Sequence, residues 1–472
     1  MTSSLAPLRA PTSLREAWIA LTGLSAVFLF EMLDNSILNV ALPTIGRELH
    51  ASTTALQWVS NSYAVVFGGL MLVFGAVADR FGRRRVMLTG LALLAAASLA
   101  TPFVTSVGGL IAVRSLMGVA AAMTTPGSIA LAFRLFATDD LRVRAMTLIS
   151  TVGLIGLAVG PPLGGFLLAV APWQALLLIN VPIAVLAFAG IGRGIGPDTD
   201  LHRAPADYLG GLLGTAAITL ALVTPTLFVE GATWQAWTAF TLTAVASVLF
   251  VLRARTTRHP LLDLKLVAHP LVSSGLAHKA ATGLAAAGLT YLVTLQLQLD
   301  WGWSPALAAA GMLPQVAVLI AAGPLVNRFV RWAGLDRAVW LGALCVVAGL
   351  AVYALLGRVG YLPVAAALVL VALGIRVVGA VAGVNVLKGL PESRTSIGAA
   401  LVDTASQVTS AAGVAVSGTV LAALFAGGIA QPGWSAAQTG QFERAVTIGG
   451  LALTAMASGL VGWAYFRARR VQ

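Results

Sequence analysis

Charge is scarce in this chain. Of its 472 residues, 10% are Asp, Glu, Lys or Arg, where a soluble domain carries about 25%. A soluble protein of this size would not have enough charge to cover its surface, and 58% of the residues are hydrophobic. Cysteine is nearly absent as well. Cys345 stands alone in an apolar run, so no intrachain disulfide forms. The histidines, His50, His202, His259, His269 and His278, show no metal-ligand spacing with another ligand type. No nucleophile–base pair or metal cluster appears at depth, which argues against the rival reading of an intramembrane enzyme, and neither a metal nor a cofactor is expected. Aromatics make up 7% and discriminate little.

What the chain has instead is apolar length. A helix needs about 20 mostly apolar residues to cross the hydrocarbon of a bilayer. Such windows recur at about 17–42, 55–78, 86–106, 109–133, 145–170, 173–192, 208–229, 236–252, 271–297, 305–326, 338–357, 362–386, 396–426 and 443–466. The expected fold class is an all-α polytopic membrane protein with fourteen transmembrane helices. The net charge of +12 does not call for nucleic acid. With the N-terminus in the cytoplasm, the tails and inner loops hold 23 of the 29 Lys and Arg, and the outer side keeps Arg47, Arg358 and Arg444. That asymmetry places both termini in the cytoplasm. The basic start followed by an apolar run resembles a signal peptide, but the run is too long and a second span follows, so it reads as an uncleaved first helix.

The spans divide as six, two and six: residues 1–200, a central pair with an amphipathic cytoplasmic segment over 201–268, and residues 269–472. The loop after the second span reads GAVADRFGRRR from Gly75, and the loop after the tenth reads GPLVNRFVRWA from Gly323. Aligned on the glycine, they share Gly, Arg, Phe and Arg, with Asp79 facing Asn327. Two related bundles place a binding site between them near the midplane and alternate access by rocking. The central pair shows little intramembrane chemistry. Its following segment, HPLLDLKLVAHP, is expected to lie along the inner surface.

Within the first span, EMLDNSILNVALP puts Glu31, Asp34, Asn35 and Asn39 before the apolar run has ended. Three- and four-residue spacing gathers Glu31, Asp34, Asn35 and Leu38 on one helix face. Asp34 is expected about 12 Å from a helix end near Pro43. Lipid cannot solvate these groups, so the face must line the bundle interior. A buried carboxylate favours the neutral form and a neighbouring cation the charged one, which suits a group that takes a proton in one state and releases it when a cationic substrate arrives. The competing reading is a structural ion pair, and the two are compatible. Arg114 sits a few residues into the fourth span, where an arginine costs roughly 2.5–3.5 kcal/mol at helix centre. A carboxylate or backbone carbonyls must compensate it, unless it snorkels to the interface. In the fifth span Gly153, Gly156, Gly160, Gly164 and Gly165 form a face without side chains that a second helix can approach closely. Pro161 and Pro162 allow a bend there. At the inner loop, Asp79 and Arg83 are spaced to pair if the turn is helical.

These motifs together resemble the major facilitator superfamily. GAVADRFGRRR resembles its loop signature, and LIAVRSLMGVAAA resembles its fourth-helix motif around an intramembrane arginine. GLIGLAVGPPLGG is similar to the fifth-helix antiporter motif. LDNSILNVALP and HPLLDLKL resemble the fourteen-helix branch of drug:proton antiporters. The resemblance implies a proton-coupled exporter of small organic, amphipathic or cationic compounds in a bacterial inner membrane, acting as a monomer. It implies gating roles for Asp79, Arg80, Arg83, Gly156, Gly160, Pro161, Gly164 and Gly165, and proton coupling by Asp34 with Arg114. Glu31 lies outside the strict motif and is either a second proton site or part of the substrate site.

The second bundle complicates the substrate. The thirteenth span carries Asp403 with Gln407 one turn on, the twelfth carries Arg376, and the ninth carries His278 and Lys279. Asp403 with Arg376 is one pairing that would neutralise the carboxylate. Lys279 either reaches the cavity or snorkels to the inner surface. The tenth span has no acidic residue, unlike that of some multidrug relatives, which keeps a dedicated exporter of a zwitterionic or anionic metabolite in view. The substrate-site candidates are Glu31, Asn35, Trp58, Tyr63, Lys279, Tyr291, Arg376, Asp403 and Gln407. Trp58, Tyr63 and Tyr291 are candidates to stack on a flat compound, whereas Trp301, Trp303 and Trp434 read as interfacial anchors.

Overall fold

The computed structural model describes residues 11–136, 138–198, 207–257, 260, 262–388, 395–431 and 433–469. Their regular structure is helical. The first group is α1 (Trp18–Glu48), α2 (Thr53–Phe81), α3 (Arg83–Ala100), α4 (Val107–Leu135), α5 (Asp139–Val170), α6 (Gln174–Leu178) and α7 (Asn180–Gly194). A central pair follows, α8 (Tyr208–Val229) and α9 (Thr233–Thr256), with the short α10 (Leu264–Ala268) after it. The last group is α11 (Pro270–Leu295), α12 (Pro305–Gly311), α13 (Leu313–Ala321), α14 (Gly323–Ala333), α15 (Leu335–Leu356), α16 (Tyr361–Lys388), α17 (Thr395–Leu424) and α18 (Ala436–Ala468).

Among the described residues, twelve helices are long and apolar enough to cross a membrane, and two bent pairs bring the number to fourteen. The bent pairs are the second spans of their groups. α2 turns by 53° between Met71 and Val73, and α13 meets α14 at 60° around Ala322. Each bend lies just ahead of one of the two matching loop sequences, so the internal echo extends from sequence to shape. Large apolar side chains such as Phe103, Phe166, Leu325, Trp332 and Leu362 are exposed, a surface suited to lipid and not to water.

α1 is deeply packed, lying against α5, α7 and α4 within its group and reaching α11 and α12 of the other. It does not end near Pro43. The helix continues to Glu48 with Pro43 inside it, which puts Asp34 about 21 Å of helix from that end instead of 12 Å. Proline removes a donor and crowds the carbonyl one turn back, and the surrounding packing carries the helix through. The end of the molecule where the described chain begins is termed the near end, and the end where α1 gives way to α2 the far end.

The central pair is more involved than its composition suggests. α8 packs on both α2 and α17. The Thr215 hydroxyl donates to the Gly69 carbonyl at 2.5 Å, and Thr226 accepts from Gln57 at 3.2 Å and hydrogen-bonds Thr419 at 3.3 Å. Asp207 caps the start of α8 and pairs with Arg253 of α9 at 2.6 Å. Of the amphipathic segment after the pair, Leu264–Ala268 is helical and its residues are not buried. His259 and Leu261 lie outside the described residues.

Candidate functional site

Two carboxylates on α1, one turn apart, have separate sets of partners. Asp34 is fully buried. One of its oxygens accepts from Nη1 of Arg114 on α4, and the other accepts from the Asn180 amide at 2.9 Å. Asn180 opens α7, where the sixth span breaks after Ile179. The guanidinium carbon of Arg114 stands 4.7 Å from the centre of the Tyr63 ring on α2, and Nη1 lies 3.9 Å from Met117 Sδ. At 1% exposure, Arg114 does not snorkel; its charge is met by Asp34 and the Tyr63 π-face. Asn180 supplies the second donor to the carboxylate, while Arg114 Nε and Asn180 Oδ1 have no partner among the described residues.

Glu31 is nearly as buried, at 2% exposure, and bridges the two bundles. Thr125 of α4 donates to one oxygen at 3.0 Å, and Gln407 of α17 donates to the other at 3.0 Å. Both donors are neutral. Asp403 and Lys279 lie close enough to act electrostatically on Glu31 and on one another. Glu31 sits about 20 Å along α1 from Trp18, at 1.5 Å per residue, near mid-depth. The structure therefore brings Glu31, Gln407, Asp403 and Lys279 into one neighbourhood. Lys279 and Asp403 are partly exposed there.

Other candidates lie apart from that neighbourhood or are engaged elsewhere. Arg376 does not pair with Asp403: among the described residues its Nε has no partner. Its guanidinium lies over Gly323 at the α13–α14 bend, where an added methyl would stand 2.6 Å from Nη2. The cation close enough to act on Asp403 electrostatically is Lys279. Asn35 donates to the Glu31 backbone carbonyl at 3.0 Å, so its amide serves its own helix. One face of the Tyr63 ring is taken by Arg114. Trp58 is half-buried against the main apolar core, and Tyr291 is fully buried with its hydroxyl unpartnered among the described residues. His278 is held by the Ser274 carbonyl at 2.9 Å and by the edge of Trp340.

The glycine face of α5 lies on α1. A methyl added to Gly156 would stand 2.9 Å from the Leu29 carbonyl oxygen, one on Gly164 would stand 3.0 Å from that of Ile37, and one on Gly160 would fall on the Ser36 hydroxyl. Gly165 turns to the other bundle, where a methyl would meet the Pro305 carbonyl at 2.7 Å and Ala309 at 2.6 Å. Pro161 and Pro162 lie inside α5. Among the described residues, the hydrogen bonds between the two bundles, Gln407 to Glu31 and Gln298 to the Val40 carbonyl at 2.9 Å, lie at mid-depth or towards the far end.

At the near end, Asp79 and Arg83 form the expected pair at 2.7 Å. Gly82 between α2 and α3 has φ +100°, a conformation that favours glycine. Arg80 is exposed, 5.5 Å from the Phe81 ring. Sequence reading missed the residue that completes this corner. Asp198, just after α7, accepts from the Arg84 backbone amide at 3.0 Å and lies 3.8 Å from Arg134. It also missed Asn180 and Thr125. A polar amide two residues before Pro182 within an apolar span was a usable signal for Asn180; Thr125 and Asp198 had none. Among the described residues no group of three or more His, Cys, Asp or Glu is placed to hold a metal ion.

Residues 24–414 match the family model of the Major Facilitator Superfamily. The chain is 30% identical over 452 residues, 95% of its length and 88% of the relative's, to the multidrug efflux pump LfrA of Mycolicibacterium smegmatis. It is 32% identical over 432 residues, 89% of its length and 85% of the relative's, to the puromycin resistance protein pur8 of Streptomyces alboniger. Among solved structures, the peptide transporter POT in complex with sulfate shares the fold, with a TM-score of 0.67 and 15% identity, covering 96% of this chain and 95% of that one.

Proposed function

The chain belongs to the major facilitator superfamily, and on that premise we propose that it exports small organic, amphipathic or cationic compounds by alternating access, driven by inward proton flow. The observation that carries this reading is the division of labour on α1. One buried carboxylate is paired inside the first bundle, and the other, one turn away, is hydrogen-bonded across to the second. The efflux and resistance activities in the names of the relatives support export.

In this reading both termini face the cytoplasm of a bacterial cell, since basic residues concentrate at that end, and the protein works as a monomer. The near end is then the cytoplasmic mouth. The segments 1–200 and 269–472 rock against one another, with 201–268 between them. A cationic compound entering from the cytoplasm approaches Asp403 and Glu31 and takes the place of the Gln407 amide on the Glu31 carboxylate. Loss of that bond frees the bundles to rock open to the outside. After release, a proton from outside occupies Asp34, and Arg114 loosens towards Tyr63. The return stroke carries the proton to the cytoplasmic side, where Arg114 reforms the pair and expels it. Asp34 is the coupling carboxylate, Arg114 its competitor, and Glu31 the group that senses substrate. The ion pair of Asp79 with Arg83 governs how the cytoplasmic side closes, and the glycine faces of α5 govern how the bundles seal from mid-depth to the far end. Substrate and proton pass unaltered, and no cofactor takes part.

A second reading, export of a zwitterionic or anionic metabolite, is favoured by one observation: Lys279 stands close to Asp403 and Glu31, and a carboxylate or phosphate on the substrate would suit it. Both readings meet the same test. Energised everted vesicles holding wild type or Asp34→Asn are followed for uptake of a fluorescent cation and for proton release. Accumulation that collapses with a protonophore and vanishes in the folded variant supports drug:proton antiport. Accumulation that persists in Asp34→Asn sinks the role given to Asp34. No dye movement by wild type turns the substrate search to anions and zwitterions around Lys279.

A further inference from the structure

The far-end half of α2 carries Thr53, Gln57 and Asn61, spaced by four residues and so on one face. That face meets α17. Gln57 lies over Gly418, where a methyl would stand 2.5 Å from its Oε1, and further along Gly68 lies against Gln407 and Val408. Thr53 is 5% exposed, and Gln57 and Asn61 are fully buried. Yet Thr53 Oγ1, Gln57 Oε1 and both amide atoms of Asn61 have no hydrogen-bonding partner among the described residues. Among the described residues, the one side-chain hydrogen bond that this stripe makes is from Gln57 to Thr226 of α8, which continues to Thr419 of α17.

Buried polar groups are almost always paired, and leaving one unpaired costs its desolvation. Here such groups line up along the contact that holds the far ends of the bundles together. The cost is recovered if the seam opens to water. We infer that the far-end seam between α2 and α17 is the exit path, held shut at a hydrogen-bond deficit, and that Thr53, Gln57 and Asn61 form its wall when it opens. This rests on the alternating-access reading and names the release side of the same route. The wall carries hydroxyl and amide groups and no carboxylate, so an organic cation that leaves Glu31 is hydrogen-bonded in passing and not recaptured. The inference also gives α8 a purpose. A polar seam cannot face hydrocarbon, and α8, packed on both α2 and α17, covers it on the lipid side while the Gln57–Thr226–Thr419 chain ties it shut.

The test uses the full-length protein in intact cells. Cys345→Ser removes the native thiol, and Ala411→Cys places a reporter on the α17 face shared by Gln407 and Gly418. A membrane-impermeant maleimide then reads how often the seam opens to the outside. Thr53→Val and Asn61→Leu remove unpaired polar atoms from the closed state, so each is expected to slow labelling by about tenfold and to raise the melting midpoint. Thr226→Val breaks the tie and is expected to speed labelling. Thr53→Val is nearly isosteric and decides the matter if Asn61→Leu does not fold. Unchanged or faster labelling in Thr53→Val, with a lower midpoint, overturns the deficit. A reporter that is never labelled while the protein still moves dye overturns the exit path. Failure of the parent to move any compound sinks the transport reading separately, and the labelling comparison still decides the seam.

Discussion

Replacing Arg114 by methionine keeps much of the side chain's bulk and removes its charge, leaving Asp34 buried with Asn180 as its remaining side-chain donor. Removing one partner of a buried pair costs about 3–5 kcal/mol. The 4.7 Å stacking on Tyr63 is lost too, adding up to about 2 kcal/mol for a desolvated cation–π contact. With roughly 2 °C of melting midpoint per kcal/mol in large domains, Arg114→Met is predicted to melt about 6–14 °C below wild type. Asp34→Asn strands the guanidinium instead and is predicted to fall by a similar amount. The double variant leaves no unpaired charge and should recover most of the loss, because two buried partners removed together can be nearly neutral. Melting of the purified protein in nanodiscs, followed by tryptophan fluorescence, gives the midpoints of the cycle, and vesicle assays give transport. The expected pattern is rescued stability without rescued proton-driven export. If the double variant melts at the sum of the two single losses, Arg114 and Asp34 do not act as a pair and the charge centre has been misassigned. If its export recovers along with its stability, the pair is structural and Asp34 is not the coupling carboxylate.

Gly160→Ala is predicted to destabilise by about 1–3 kcal/mol through overpacking, since its methyl falls on the Ser36 hydroxyl. Ser36→Gly in the same chain should restore the melting midpoint, and failure to do so would falsify the contact. At the near-end corner, Gly82→Ala meets both a φ of +100° and the Asp198 carboxylate at 2.7 Å, a strain of roughly 1–3 kcal/mol before the clash is counted. Asp198→Ala loses only a helix cap and a long ion pair, about 0.5–2 kcal/mol. Thermal melts should therefore rank wild type above Asp198→Ala above Gly82→Ala, and an Asp198→Ala variant as stable as wild type would remove Asp198 from the corner.

What the sequence made legible was whatever one helix writes along its own length. The pairing of Asp79 with Arg83 follows from four-residue spacing, the glycine face of α5 from a three- and four-residue repeat, and the buried face of α1 from polar groups where lipid forbids them. Arg114 announced that it needed a carboxylate, and Asp34 met that need. Contacts between distant spans were harder to read. Thr125 and Asn180 are ordinary polar residues, and only the packing of α4 and α7 on α1 turns them into donors to Glu31 and Asp34. Arg376 misled because a cation and a carboxylate in neighbouring spans look like partners, yet Arg376 lies over Gly323 and the cation that acts on Asp403 is Lys279. The Gln57–Thr226–Thr419 chain was invisible for the same reason. Its members lie on three helices whose mutual angles no single stretch encodes.

The pair of Asp34 with Arg114 has an electrical consequence. Both side chains are mounted in the same bundle, on α1 and α4, so when that bundle rocks they travel through the membrane field together, as a dipole of zero net charge. Each unpaired elementary charge carried across the field is worth about 2.3 kcal/mol per 100 mV. Pairing thus keeps the two side chains from adding voltage dependence to the stroke in which Asp34 carries no proton. Voltage acts only where the pairing is undone: on a proton seated at Asp34, or on a cation lodged beside Glu31.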